Sequence, residues 1–204
     1  FDAHTAREGA MPYTQEFFAA LSTALAREIH LLTSPPHKVI AVDCDNTLWS
    51  GICGEDGPQG VIADAPRVAL QRFLVGQHEA GKLLAIVSKN NEEDIWEVFE
   101  EHPDFPLRRE HFSAWRVNWN AKSGNLKALA AELNLGLDSV IFLDDDAREC
   151  AEVRTGAPVV TVLPLPPAVE IETFLQHVWA FDQMPATAED KLRIIRAWKA
   201  NDAV

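Results

Sequence analysis

A three-layer α/β/α sandwich around a parallel sheet is the fold this sequence predicts, and three observations predict it. Short apolar runs recur along the chain, helical stretches separate them, and polar residues stand where several runs end. Apolar runs alternating with helices mark parallel strands buried on both faces, because the crossovers lay helices over the sheet.

The elements follow in order. Residues 14–32 form an amphipathic helix, with Thr14 as N-cap and Phe17, Phe18, Leu21, Leu25, Ile29 and Leu32 on one side. Pro35 and Pro36 end it. Strand 38–43 comes next, then a helix from Pro66 to about Ala80, strand 82–87, and a helix opening at Asn91. Glu92, Glu93 and Asp94 fill the first turn of that helix, where carboxylates complement the helix dipole. A short strand 112–117, helix 122–134, strand 139–143, helix 147–154 and strand 158–162 complete the alternation. Pro164, Pro166 and Pro167 punctuate the chain before a helix near 168–179, and a last helix, capped by Thr187, carries Trp198. Between the first strand and the next helix, Trp49 to Ala65 contains Gly51, Gly54, Gly57, Pro58 and Gly60, a flap rather than a domain. The chain therefore divides into an N-terminal helical extension (1–36), an α/β core (37–165, flap 49–65) and a C-terminal helical extension (166–204).

At 204 residues and 47% hydrophobic content, the chain can bury one good core. Thirty-one acidic against 18 basic residues give a net charge of −13, which argues against nucleic acid and against anionic membrane surfaces as partners. There is no run of about 18 apolar residues and no basic-then-apolar leader, so a cytoplasmic protein is expected. Beginning at Phe1 without a Met, the chain reads as a segment of something longer.

The chemistry concentrates in KVIAVDCDNTLW. Asp43 and Asp45 stand one residue apart where an apolar strand runs into a loop. Alternate residues share a face, and open parallel sheets bind ligands at the carboxyl ends of their strands. Two clustered carboxylates repel unless a cation lies between them, so a hard divalent ion, Mg²⁺, is implied. Further polar features end later strands or open the helices after them: Ser88 in AIVSKNN, Lys122 after VNWNA, and Asp144 with Asp145 in VIFLDDD. Singly, a strand-ending Ser is usually a helix cap and a helix-opening Lys a solvated charge. In this order, at equivalent places, they form a constellation.

These four motifs resemble, in order, those of the haloacid dehalogenase (HAD) superfamily of phosphoryl-transfer enzymes, over about residues 38–163. The resemblance implies a Rossmann-like, HAD-like core with a minimal flap-type cap. It further implies that Asp43 attacks phosphorus while Asp45 protonates the leaving oxygen and then activates water. Thr47 would steady the loop. Ser88, with Lys89 and Asn90 beside it, and Lys122 would hold phosphoryl oxygens, and Asp144 or Asp145 would complete a Mg²⁺ site with Asp43 and the backbone carbonyl of Asp45. A carboxylate can approach an anionic phosphoryl group only if cations neutralise both, and Mg²⁺ with Lys122 would supply them.

Longer strings, DNTLWSGICGEDGPQGV, SKNNEEDIWEVFEEHPDFPLRREHF and WRVNWNAKSGNLKALAAELNLGLDSVIFLDD, are similar to the FkbH-like glyceryl transferase/phosphatase domains of polyketide assembly lines. That resemblance implies a substrate, D-1,3-bisphosphoglycerate, and a partner, the phosphopantetheine arm of an acyl carrier protein, on which glyceryl is loaded as a thioester. A HAD phosphatase for a small phosphorylated metabolite, without acyl transfer, is the alternative. The chain departs from the family's usual Asp-Asp-Asn-Pro in reading Asp144, Asp145, Asp146, Ala147, which adds a third carboxylate and leaves the ligand open.

Three cysteines, with no CxxC pair, are expected as reduced thiols. Thioester formation needs a thiolate near the phosphate site, and Cys53 on the flap is the first choice, while a direct handover to the carrier thiol would need no protein cysteine. Cys44 points away from the two aspartates and Cys150 stands among acids, so both read as structural. A bisphosphorylated substrate needs a second anion site, for which Arg108, Arg109 and Arg116 are the candidates. Arg67, Arg72, Arg108, Arg109 and Lys89 are the candidates for a basic docking patch on this acidic domain.

Overall fold

The computed structural model describes residues 13–182 together with Arg7 and Gly9; the expected last helix, from Thr187 past Trp198, lies outside the described residues. The chain divides into two compact units. The described part of one is helix α1, Gln15–Thr33, with Asp182. Thr14 caps α1 by accepting a hydrogen bond from the Phe17 amide at 3.3 Å, and Arg27 pairs with Asp182 at 2.5 Å.

The other unit, around residues 37–181, holds a five-stranded sheet in the order β3-β2-β1-β4-β5, every pair parallel. The strands are β1 (Val39–Val42), β2 (Leu83–Ser88), β3 (Phe112–Val117), β4 (Val140–Asp144) and β5 (Thr161–Pro164). The helices are α2 (Cys53–Asp56), α3 (Ala65–Glu79), α4 (Glu92–Glu101), α5 (Lys122–Glu132), α6 (Ala147–Gly156) and α7 (Ile171–His177). Residues 39–42 of β1 and all of β4 are fully buried, as strands covered on both faces must be. One face packs Ile40, Val42, Leu84, Ile86, Ile141 and Leu143 with α3, α4 and α7; the other packs Val39, Ala41, Ala85, Val140 and Phe142 with α5 and α6.

Four details differ from the sequence expectation. The last strand begins at Thr161 rather than 158, because Ala157–Val160 is a hydrogen-bonded turn and Ile141 registers against Thr161. A register shift beside Leu84 and Ala85 lets Phe112 and Trp115, three residues apart in β3, join the same apolar cluster. The flap contains a turn of helix, α2, and is closed by an antiparallel bridge in which Ser50 and Ile62 exchange both backbone bonds. Gly60 is required there: a Cβ would stand 2.2 Å from the Asp56 carbonyl oxygen. Residues 166–181, expected as the start of an extension, bury Ile171, Leu175 and Phe181 in the same cluster as Leu70 and Leu74 of α3.

The strand order reverses at β1. The chain crosses from β1 to β2 and β3 on one side, then returns to β4 on the other, so a crevice opens beyond the carboxyl ends of β1 and β4.

Candidate active site

Asp43 follows β1 and Asp144 ends β4, so the strand reversal sets their carboxylates across the crevice. The Asp43 amide donates to the Leu143 carbonyl at 3.0 Å, extending the β1–β4 ladder by one bond and fixing Asp43 at the rim. Lys122, 3% exposed at the start of α5, reaches between them: its Nζ lies 2.9 Å from Asp43 Oδ1 and 2.6 Å from Asp144 Oδ2. Burial opposes the Lys122 charge, but the two carboxylates outweigh it and raise its pKa, so it remains an ammonium. Thr47 ties in the neighbouring acid, donating to Asp145 Oδ1 at 3.0 Å and accepting from the Asp145 amide at 3.2 Å.

One ammonium does not balance three carboxylates. Asp43, Asp144 and Asp145 each offer an oxygen within 4.8 Å of the others'. Burial first, and Asp43 second, push the Asp144 carboxyl up to about 6, and burial also raises Asp145. Surplus negative charge and an all-oxygen donor set fit Mg²⁺, which prefers hard oxygen ligands and takes few of them from protein. Asp146 turns away: its side chain caps α6 by accepting from the Arg148 amide at 2.7 Å, while its own amide donates to Asp144 Oδ1 at 2.8 Å.

Asp45 occupies a different environment. Its Oδ1 accepts from Trp49 Nε1 at 2.9 Å and from the Cys53 amide at 3.1 Å, and its Oδ2 accepts from Asn90 Nδ2 at 2.7 Å. The same Asn90 Nδ2 lies 3.1 Å from Cys53 Sγ. Cys53 is 2% exposed, and burial, followed by the Asp45 carboxylate, pushes its thiol up to about 12. Cys44 is buried and its pKa is raised by desolvation and by Asp43, while Cys150 donates to the Asp144 carbonyl at 3.6 Å and is pushed up to about 11. Among the described residues all three cysteines are free and buried.

These placements join Asp43, Thr47, Lys122, Asp144 and Asp145 in one cluster and Asp45, Cys53 and Asn90 in a second, with Asp43 and Asp45 two residues apart on the loop after β1. Ser88 is buried at the carboxyl end of β2, on the same rim. Lys89 is held by Glu149 at 2.6 Å.

The arginines lie elsewhere. Arg108 donates to the carbonyls of His102 and Pro103, and Arg109 stacks over Trp96, 4.5 Å from the ring centre, with Trp115 beyond. Both precede β3, at the end of the strand away from the site. Arg116 pairs with Glu132 at the far end of α5. A second anion site built on these three is therefore not assembled beside the carboxylates. Of the expected docking patch, Arg67 instead braces the loop after β1, bonding the Asn46 carbonyl from Nη2 at 3.0 Å and pairing with Asp64 at 2.7 Å. Sequence reasoning missed that role; the signal was Asn46 itself, which adopts a left-handed φ of 55° that Asn tolerates well.

No family model and no curated protein matches the chain. Solved structures do. The N-terminal part, containing a phosphatase domain, of a Bacteroides fragilis protein was solved in complex with Mg; it is 27% identical, with a TM-score of 0.80, over 90% of this chain and 50% of that one. The fold is that of the HAD-type phosphatases. A candidate HAD-like phosphatase of Mesorhizobium loti shares it at 12% identity and a TM-score of 0.52, over 74% of this chain and 91% of that one. The present chain thus spans about half the length of the Bacteroides fragilis chain it matches. Set on this HAD fold, the strand-reversal crevice that holds Asp43, Lys122 and Asp144 is the candidate phosphoryl site.

Proposed function

We propose that this domain is a Mg²⁺-dependent phosphatase and glyceryl transferase that dephosphorylates D-1,3-bisphosphoglycerate and loads the glyceryl group, as a thioester, on an acyl carrier protein. The observation that carries the reading is the Asp45–Asn90–Cys53 set. A buried thiol shares one carboxamide donor with the carboxylate assigned to acid–base work. A thiol held beside that carboxylate supports an acyl-transfer step, which simple phosphate hydrolysis lacks.

In this reading Asp43 attacks the phosphorus of the phosphate ester, not of the acyl phosphate, through a carboxylate oxygen, and the P–O bond to the substrate hydroxyl oxygen breaks. Asp45 supplies the leaving oxygen's proton, then takes one from the water that releases phosphate. Asp43, Asp144, Asp145 and the Asp45 carbonyl would hold Mg²⁺, which when bound supplies positive charge to the phosphoryl oxygens. Lys122 and the Ser88–Asn90 segment orient those oxygens. For acyl transfer, Cys53 sulfur attacks the carbonyl carbon of the acyl phosphate, the C–O bond breaks, and phosphate leaves with the electron pair. The thiol proton passes to Asp45 in its ionised form and from it to the departing phosphate. A thiol at about 12 is protonated at rest, so it needs this adjacent base. The carrier thiol then attacks the same carbon, expels Cys53 sulfur and returns it a proton.

Intact-mass measurement tests the reading. The domain, Mg²⁺, 1,3-bisphosphoglycerate and phosphopantetheinylated carrier protein should yield a glyceryl adduct on the carrier. Release of phosphate with no adduct on either protein would reduce the activity to a HAD phosphatase for a small metabolite, the second reading the fold supports.

A further inference from the structure

Helix α5 carries Lys122 as its first residue, yet it has no cap of its own. Ala121 stands at the N-cap, where Ser, Thr, Asp or Asn would ordinarily hold a free amide, and makes no side-chain hydrogen bond there. The acceptor comes from another helix. Glu152 of α6 takes both polar hydrogens of Ser123, the residue after the lysine: Oε2 accepts from the Ser123 amide at 3.0 Å and Oε1 from its hydroxyl at 2.5 Å. One turn further along α6, Gly156 leaves room for this contact, since a Cβ there would stand 2.3 Å from Ser123 Oγ.

The contact closes a ring. Asp144 ends β4, Asp146 caps α6, and Glu152 on that helix grips Ser123. Lys122, next to Ser123, reaches back to Asp144 at 2.6 Å. The ammonium and its carboxylate partner are thus joined twice, once by their own bond and once through α6. A lysine gains from the second tie, because its four-carbon stem is flexible and a reacting group displaced by an ångström loses most of its effect. A glutamate on a helix surface is ordinarily a solvated charge. Here both oxygens are used on one buried residue, and a glycine lets the helices approach at that point.

We infer that Glu152 is a positioning residue of the phosphoryl site: it caps α5 from α6 and so holds the Lys122 ammonium between Asp43 and Asp144. It acts through Ser123 and touches neither the phosphoryl group nor the metal. The inference rests on the phosphatase reading only in what Lys122 does for substrate, whereas the link between Glu152 and Lys122 is a property of the fold.

A double-mutant cycle between Glu152 and Lys122 tests it, read in two ways. In phosphate release from p-nitrophenyl phosphate with saturating Mg²⁺, Glu152→Ala should lower kcat about 100-fold, the loss expected for a displaced reacting group, with KM changed less than about threefold. In a Lys122→Met background the same substitution should cost less than about twofold, because the group it positions is gone. Glu152→Gln, which keeps one acceptor oxygen, should fall between the native protein and Glu152→Ala. In urea unfolding of the metal-free domain, Glu152→Ala should raise the unfolding constant about tenfold in the native background and at most about threefold in Lys122→Met. The inference is overturned if Glu152→Ala and Glu152→Gln release phosphate as the native protein does. Equal effects in both backgrounds, in release or in unfolding, would make Glu152 a helix cap only and overturn it as well. A native domain that releases no phosphate from p-nitrophenyl phosphate or 1,3-bisphosphoglycerate would remove the phosphatase reading instead, and the unfolding cycle would still decide whether Glu152 holds Lys122.

Discussion

The two halves of the site hold their carboxylates by opposite means. Around Asp43 and Asp144 the partner is a charge: one buried ammonium, bonded to both, with a third acid close by. Around Asp45 the partners are neutral: an indole, a backbone amide and a carboxamide. The first half is left with surplus negative charge that a cation relieves. The second is complete as it stands, with a thiol within reach. Charge excess suits the binding of a metal and a phosphoryl group, and neutral saturation suits a carboxylate that must give and take a proton without being locked to a cation.

The comparison breaks most decisively at Asp43. Asp43→Asn should lower phosphate release by on the order of 10⁴-fold, as expected for loss of a nucleophile, with little change in the unfolding midpoint, because the amide is nearly isosteric. A colorimetric phosphate assay beside thermal unfolding measures both. Retained release would remove Asp43 from the nucleophile's role.

The neutral half gives the next largest effect. A free thiol near 9 and Cys53 at about 12 differ roughly 10³-fold in thiolate fraction at neutral pH, so iodoacetamide should label Cys53 about that much more slowly than a small thiol. Peptide mass mapping reads the rate. Labelling at the rate of an ordinary thiol would show that Asp45 and burial do not restrain the sulfur.

These contrasts separate what was legible in the sequence from what was not. The three-layer fold followed from apolar runs such as Val39–Val42 and Leu84–Val87, whose burial on both faces needs no knowledge of partners. The acidic cluster was legible because strand ends are addresses: Asp43 follows β1 and Asp144 ends the adjacent parallel β4, so their meeting follows from topology. The surroundings of Arg108, Arg109 and Arg116 were not legible, because an arginine's contacts depend on what folding brings beside it. Trp96, Glu132 and two backbone carbonyls reach these guanidiniums first, and no local spacing announces that. Asn90 linking Asp45 to Cys53 was likewise hidden, since it joins three segments of chain that only packing brings together.

Lys122→Met sharpens the comparison from the charged side. Removing the ammonium leaves Asp43 and Asp144 facing each other in a buried place, which should cost about 3 kcal/mol in urea unfolding of the metal-free domain. Saturating Mg²⁺ should recover part of that loss, because the cation takes over the neutralising role. Asn90→Ala, made on the neutral half, should show no such Mg²⁺ dependence.

The smallest effect is a pH dependence, and its sign follows from Asp144. Its folded-state pKa, about 6, lies above the usual value of 3.8, so the folded protein binds this proton more tightly than the unfolded chain does. Metal-free stability should therefore rise as pH falls from about 7 through 6 towards 4, by at most about 3 kcal/mol, and be lowest where Asp144 is ionised. Mg²⁺ should act in the opposite sense. It competes with the proton for the same carboxylate, so the Mg²⁺-induced rise in melting temperature should be full near pH 7.5 and fade below about pH 6. Melting curves at pH 5.5 and 7.5, with and without Mg²⁺, decide it: an equal Mg²⁺ shift at both would mean that Asp144 is not a ligand.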